Sequence, residues 1–189
     1  INAFAFDPAG PVYATTNGGG VFRSTDLGAH WNESNVTLPT LATTSVAVSP
    51  TGTVFVGTSG SGVFRSTDGA GTWSAVNVGL GSLVVTSVAF DPAGVLYAGT
   101  ATGGVFRSVD AGANWTAFGD GLANPFVRSL AAGSGGRVFA GTNGGGVYAH
   151  PVPASLGAPM ADGGDALRFD RVAPNPARAR TSLHFVLPV

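Results

Sequence analysis

The residues best able to do chemistry recur along this chain at a fixed spacing of 42 positions. Three aspartates, Asp26, Asp68 and Asp110, each follow a Ser by two positions and precede a Trp by five. Glycoside hydrolysis needs a pair of carboxyl groups that act as acid, base or nucleophile. All three aspartates, however, hold the same place in a repeat, and a shared structural part explains this better than catalysis does. We therefore interpret them as loop-forming residues.

Three arginines repeat in the same way, each after a Val-Phe pair: Arg23, Arg65 and Arg107. Three guanidinium groups could together bind a carboxylate, because each can donate two parallel hydrogen bonds. Their equivalent positions instead favour a role as partners of a neighbouring loop. Two other carboxylates, Glu33 and Asp120, are the remaining candidates for a catalytic pair in the propeller. They fall in or just after the last segment of their repeats, where they could be simply solvated.

Other candidate groups have structural explanations. The repeated Trp residues could stack on sugar rings, but their fixed place in the repeat favours packing. His30, His150 and His184 are isolated and lack the spacing of metal ligands. The Gly-rich runs 17–20 and 143–146 precede no helix, and the chain has no Lys, which argues against a phosphate-binding loop. The sequence therefore predicts no catalytic residue, no cofactor and no metal.

The composition narrows the class of partner. The net charge is −1, only 10% of the residues are charged and all nine cations are Arg, which argues against nucleic-acid binding. No apolar run approaches the roughly 20 residues that cross a bilayer, so we expect no membrane insertion. Ile1 already falls inside the repeat pattern, so we expect the chain to be part of a longer protein.

Each repeat contains four short apolar segments separated by turns that are rich in Gly and Pro. In the third copy these are residues 88–90, 95–98, 105–107 and a segment that opens with Trp115. Four short strands in a repeat of about 40 residues are typical of a β-propeller blade. The segment 95–98 is apolar without alternation, as a strand buried on both faces should be. We predict an all-β chain with about four four-stranded blades over residues 1–149.

Residues 24–31 resemble the Asp box, Ser-x-Asp-x-Gly-x-Thr-Trp, of the bacterial neuraminidase repeat family. Residues 66–73 and 108–115 repeat the box, although Ala70 stands where the family has Gly. The surrounding segments are similar to the propellers of xyloglucan-type glycoside hydrolases, sortilin-like receptors and the photosystem II assembly factor. In that family the box is a folding element. The resemblance therefore implies structural roles for Ser24, Asp26, Gly28, Trp31, Ser66, Asp68, Trp73, Ser108, Asp110, Gly112 and Trp115.

The fourth copy lacks the box, and the chain changes character after it. Residues 150–166 are predicted to be a linker of Pro, Gly and Ala, and residues 167–189 contain two alternating segments typical of strands. The sequence Pro174, Asn175, Pro176, followed by 181–188, resembles the opening of the C-terminal sorting domain of the type IX secretion system and of related immunoglobulin-like domains. This resemblance implies the start of a β-sandwich, and export to the bacterial cell surface or release from it.

These observations favour an exported, non-catalytic propeller module that binds a protein or carbohydrate ligand at a loop face. The alternative is a fragment of a secreted glycoside hydrolase, sialidase-like or xyloglucanase-like, whose catalytic acids lie outside this chain. An assembly factor of the photosystem type fits the export signal less well. An open array of blades would expose strand edges and apolar faces, so we expect further repeats or self-association to cover them.

Overall fold

The computed structural model describes residues 1–119, 122, 124–133, 137–151 and 170–171. Within these residues every regular element is a β-strand, which confirms the all-β prediction. The strands form four antiparallel sheets, and in each sheet the spatial order of the strands follows the chain. We number the sheets 1 to 4 along the sequence.

In each sheet the first three strands have four to six residues and the outermost strand has two. Sheet 1 contains β1 (Ala3–Phe6), β2 (Val12–Thr16), β3 (Gly20–Ser24) and β4 (Asn32–Glu33). Sheet 2 contains β5 (Thr43–Val48), β6 (Val54–Thr58), β7 (Val63–Ser66) and β8 (Ser74–Ala75). Sheet 3 contains β9 (Val85–Phe90), β10 (Leu96–Thr100), β11 (Val105–Ser108) and β12 (Thr116–Ala117). Sheet 4 contains β13 (Val127–Ala132), β14 (Arg137–Thr142), β15 (Gly146–Pro151) and β16 (Asp170–Arg171).

The sheets pack face to face in chain order, and the core consists of the layers between them. Every residue of β6 and of β10 is buried, because each strand contributes side chains to both of its neighbours. In β6, for example, Val54 and Val56 pack toward sheet 1, whereas Phe55 packs toward sheet 3. Among the described strands, none of sheet 4 packs extensively against sheet 1. Within the described residues the four sheets therefore follow one another as a series, and sheets 2 and 3 each lie between two others.

Turn chemistry fixes the ends of the inner strands. After β1, the amide of Gly10 donates to the carbonyl of Asp7, and the carboxylate of Asp7 accepts the amide of Ala9. The same two bonds recur at Asp91. These contacts confirm the prediction that Asp7 and Asp91 form turns. At the other end of the sheets, a repeated Thr hydroxyl donates to the carbonyl four residues later, at Thr16, Thr58, Thr100 and Thr142.

Sheet 4 takes its outer strand from the C-terminal part of the chain. Arg171 pairs with Tyr148, and Asp170 pairs with Ala149. These two residues fall in the stretch that the sequence analysis assigns to a second β domain, and β15 runs to Pro151, the second position of the predicted linker. The rest of the linker and of residues 167–189, including Pro174, Asn175 and Pro176, lies outside the described residues. Both domain assignments stay predictions.

Candidate functional site

Each Asp box is a loop closed by hydrogen bonds from its own Ser and Asp. In the second box the Ser66 hydroxyl donates to Asp68 Oδ1 (2.7 Å) and accepts the amide of Ala70 (2.8 Å). Asp68 in turn accepts the amide of Thr72 at Oδ1 (2.9 Å) and its hydroxyl at Oδ2 (2.8 Å). The other two boxes repeat this network, with His30 and with Asn114 in the place of the Thr. The carboxylates are therefore engaged inside their loops.

Two successive residues of each box have a left-handed backbone, at 27–28, 69–70 and 111–112. Ala70, which departs from the family's Gly, has φ 68°, and its amide bonds to the Ser as the amides of Gly28 and Gly112 do. Its side chain is buried in the layer between sheets 1 and 2. The loop thus keeps its geometry despite the substitution, because hydrogen bonds and packing hold the Ala in this strained region.

The box hydrogen bonds favour the charged form of the carboxylates. The amide of His30 and the amide of Thr72 are the main causes that hold the pKa of Asp26 and of Asp68 well below its usual range. The side chain of Asn114, together with its amide, lowers the pKa of Asp110 to about 2. A carboxylate that stays ionised far below neutral pH cannot donate a proton as a general acid at pH 7. The box carboxylates are therefore ionised at neutral pH, and their hydrogen bonds lie within their own loops.

Acidification tests this arrangement. A carboxylate whose pKa is lowered by folding stabilises the protein above its unfolded pKa of about 3.9, and this contribution is lost as the pH falls toward its folded pKa. We expect the variant Asp110→Asn to be less stable than the wild type at pH 7, with the difference disappearing between about pH 4 and about pH 2. Urea unfolding of both proteins at a series of pH values measures this difference in stability. A difference that stays constant across this range would contradict the assignment.

The three box Trp residues have different surroundings. Trp73 and Trp115 are each 4% exposed, and their indole N–H groups donate to Ser34 and Val76 of the preceding sheet. Trp31 is 37% exposed, and its indole N–H donates to Gly28 of its own loop. The difference arises because sheets 2 and 3 have a preceding sheet within the described chain and sheet 1 has none.

The repeated arginines reach toward the next sheet. Arg65 Nη1 donates to the carbonyl of Ala111 in the third box (3.2 Å), and Arg23 lies beside Gly69 in the second box. These two guanidinium groups therefore occupy different layers between sheets, as expected for partners of a neighbouring loop. Glu33 lies on the exposed outer strand of sheet 1, and Asp120 lies outside the described residues. In the described ranges, no group of three or more His, Cys, Asp or Glu side chains could hold a metal ion.

Two polar contacts were not predicted from the sequence. Asn77 Oδ1 accepts the amide of Val63 (2.7 Å), and its Nδ2 donates to the carbonyl of Ser61 (3.1 Å). This side chain therefore connects the β6–β7 hairpin to the segment that follows the outer strand β8. Asn35 makes the equivalent contacts in sheet 1. The sequence feature that could have indicated this contact is an Asn four positions after the box Trp in the first two repeats.

The second contact is a buried pair in sheet 3. The Tyr97 hydroxyl donates to Asp91 Oδ2 (3.2 Å), and desolvation, together with the carboxylate, raises the pKa of Tyr97. The available signal was that Asp at the turn and Tyr on the second strand occur in the same repeats, the first and the third, whereas the second repeat has Ser49 and Phe55.

The two ends of the sheets differ in charge. The boxes and the Asp-Pro turns share one end, because in a four-stranded meander the first and third connections lie together. The other end, which we call the hairpin face, carries the described connections 17–19, 36–42, 59–62, 78–84, 101–104 and 143–145, none of which has a charged residue. One charged side chain reaches this face from a strand, because Arg128 of β13 donates to the side chain of Asn143 (3.1 Å). Leu41, Leu83 and Val84 are exposed there by 45%, 46% and 38%. The carbonyls of the two Leu residues accept amides of the adjacent Gly-rich hairpins.

Solved structures of similar shape identify the architecture. An ancestral GH74 enzyme superposes with a TM-score of 0.66 at 26% identity, over 79% of this chain and 22% of the enzyme. The extracellular domain of a one-component system from B. thetaiotaomicron superposes with a TM-score of 0.67 at 18% identity, over 93% of this chain and 24% of that protein. YCF48 bound to a D1 peptide superposes with a TM-score of 0.63 at 18% identity, over 84% of this chain and 52% of YCF48. The chain has the β-propeller fold.

The four sheets are thus blades, and the fold predicted from the repeats is confirmed. The chain spans less than a third of the length of the GH74 enzymes that it resembles. No family model matches the sequence, and no curated protein matches it significantly. In the described part of the propeller there is no helix long and apolar enough to span a membrane.

Proposed function

We propose that this propeller is an extracellular, non-catalytic binding module that holds an extended, uncharged segment of a protein partner on its hairpin face. The observation that carries the proposal is the exposure of Leu41, Leu83 and Val84 between Gly-rich hairpins on a face without charge in its described connections. Apolar patches with backbone groups close by suit an apolar peptide segment better than a charged ligand. The neighbour YCF48, which binds a D1 peptide, supports this choice of ligand class.

A carbohydrate ligand fits this face less well. Sugar binding relies on exposed aromatic rings for stacking and on polar side chains that satisfy the hydroxyl groups. The exposed large side chains among residues 36–42 and 78–84 are aliphatic. A protein segment is therefore a better match to this face than a glycan.

The residues of the Asp boxes have a structural role in this proposal. Their carboxylates are bonded within their own loops, as in Asp68, and two of their three Trp side chains pack between blades. The location outside the cell rests on the similarity to an extracellular domain and on the resemblance of residues 174–176 and 181–188 to a sorting domain.

The proposal is tested by measuring the binding of arrayed apolar peptides to the wild-type chain and to a double variant, Leu41→Asp with Leu83→Asp. We expect the wild-type chain to bind extended apolar peptides and the double variant to lose about tenfold or more in affinity, which is ~1.4 kcal/mol. Leu27→Asp is the matched control, because Leu27 is 88% exposed at the opposite end of blade 1. Equal binding by the wild type and both variants would refute the hairpin face as the site.

The second candidate is a fragment of a glycoside hydrolase, and the 26% identity to an ancestral GH74 enzyme favours it. Catalysis would then need two carboxyl groups about 5–9 Å apart, which other blades would have to supply. Incubation of the chain with xyloglucan oligosaccharides distinguishes the two candidates. Binding of these sugars without peptide binding would favour the hydrolase fragment.

A further inference from the structure

Blade 4 departs from the other blades at one position of the hairpin face. Arg128 lies near the start of β13, and its position corresponds to that of Asn2, Thr44 and Thr86 in the other repeats. Each of those three side chains donates to a carbonyl on the first strand of the next blade. Their shared contact is structural, so the charged residue that replaces them in blade 4 is a candidate for a separate function.

The neighbours of Arg128 hold its side chain in a defined place. Its Nε donates to Asn143 Oδ1 (3.1 Å), and its guanidinium carbon lies 5.4 Å from the centre of the Phe126 ring. Asn124 donates to the carbonyl of Asn143 and accepts the amide of Phe126, which joins these residues into one network. A guanidinium that is fixed through Nε and an aromatic ring can offer its two Nη groups to a carboxylate as parallel donors.

This network adjoins the exposed aliphatic residues of the hairpin face. The amide of Ala101 donates to the carbonyl of Val84 (3.0 Å), and the amide of Gly104 donates to the carbonyl of Pro125 (3.1 Å). The hairpin between β10 and β11 therefore lies between Val84 and the segment that leads to Arg128. A ligand that extends across this hairpin meets aliphatic side chains first and a positive charge after them.

We infer that the partner segment carries an acidic side chain, Asp or Glu, which follows its apolar residues and binds Arg128. The inference rests on the proposed function, and it adds a charge requirement to the uncharged segment that Leu83 and Val84 bind. Complementary charge at the edge of an apolar contact fixes the register of the ligand.

An acidic side chain fits this site better than a chain terminus does. Terminal carboxylates are captured by backbone amides in concave nests, whereas the donors here belong to a side chain. Arg128 is also exposed, so a partner chain has room to continue past it.

Peptide binding at low ionic strength tests this inference. The probe is an apolar peptide that the wild-type chain binds in the array, with an amidated C-terminus and with Glu or Gln placed in turn at each position after the apolar residues. We expect the wild type to prefer the best Glu peptide over its Gln counterpart by about fivefold, the upper end for an exposed ion pair. Arg128→Gln is expected to bind the two peptides equally.

Arg137→Gln is the matched control, because Arg137 is also exposed but begins β14 at the opposite end of blade 4. This variant is expected to keep the preference for Glu. Two further results depend on charge and not on folding. High salt is expected to remove the preference of the wild type, and Arg128→Glu is expected to prefer a Lys peptide.

The possible failures are distinguishable. Equal binding of the Glu and Gln peptides by the wild type at low salt would overturn this inference but not the proposed function. A gain in affinity from a free C-terminal carboxylate, with none from Glu, would replace the acidic side chain by a chain terminus. If the wild type binds no peptide of the array, the proposed function is refuted and this inference with it.

Discussion

Replacing Trp73 with Ala is expected to lower the free energy of unfolding by about 3–5 kcal/mol, the range measured for buried Trp and Phe truncations. Trp73 is 4% exposed and packs in the layer between blades 1 and 2. Its indole N–H donates to the carbonyl of Ser34 (2.8 Å), and its amide and carbonyl both bond to the Thr37 hydroxyl. The substitution removes the buried ring and leaves the Ser34 carbonyl without this donor.

Trp31→Ala is the matched control for this prediction. The residue holds the same place in the first box, but it is 37% exposed and its indole N–H bonds within its own loop. We expect a loss of about 1 kcal/mol, the centre of the range for point substitutions. Urea unfolding followed by far-UV circular dichroism measures both variants. Equal losses at the two positions would contradict the claim that burial between blades, rather than the box itself, sets the contribution of the Trp.

Replacing Gly62 with Ala is expected to cost about 2–5 kcal/mol, from a left-handed backbone penalty of about 1–2 kcal/mol and a lost, partly buried hydrogen bond of about 1–3 kcal/mol. Gly62 has φ 82°, and a Cβ on it would overlap the side-chain amide of Asn77. That amide accepts the N–H of Val63 and holds the β6–β7 hairpin. The Asn77 side chain would have to move away, and the hairpin would lose its hydrogen bonds to the segment that follows β8.

Gly60→Ala in the same hairpin separates the two effects. Gly60 has φ 115°, and a Cβ on it would meet no atom within 4 Å, so this variant changes the backbone preference without a collision. We expect a cost of about 1–2 kcal/mol, from the backbone preference alone. Thermal and urea unfolding of the two variants provide the comparison. If Gly62→Ala proves no more harmful than Gly60→Ala, the Asn77 contact does not stabilise the hairpin.

The local structure of this protein follows from its sequence because the relevant interactions are short in range. The Asp-Pro turns and the box hydrogen bonds connect residues within a few positions of each other, as Ser66 does with Asp68 and Ala70, and the same local pattern recurs every 42 residues. The apolar character of 95–98 also indicated a strand buried on both faces, and β10 is fully buried. Number and type of strands in a blade were therefore predictable from residue types and spacing.

The contacts between blades depended on the tertiary structure. Trp31 and Trp73 occupy the same position of the same motif, yet one is exposed and the other is buried. The motif determines the loop, whereas burial depends on whether another blade lies in front. The pairing of Arg171 with Tyr148 likewise joins residues whose meeting no local pattern encodes. Short-range interactions thus define each blade, and packing between blades selects which repeated side chains become core and which become surface.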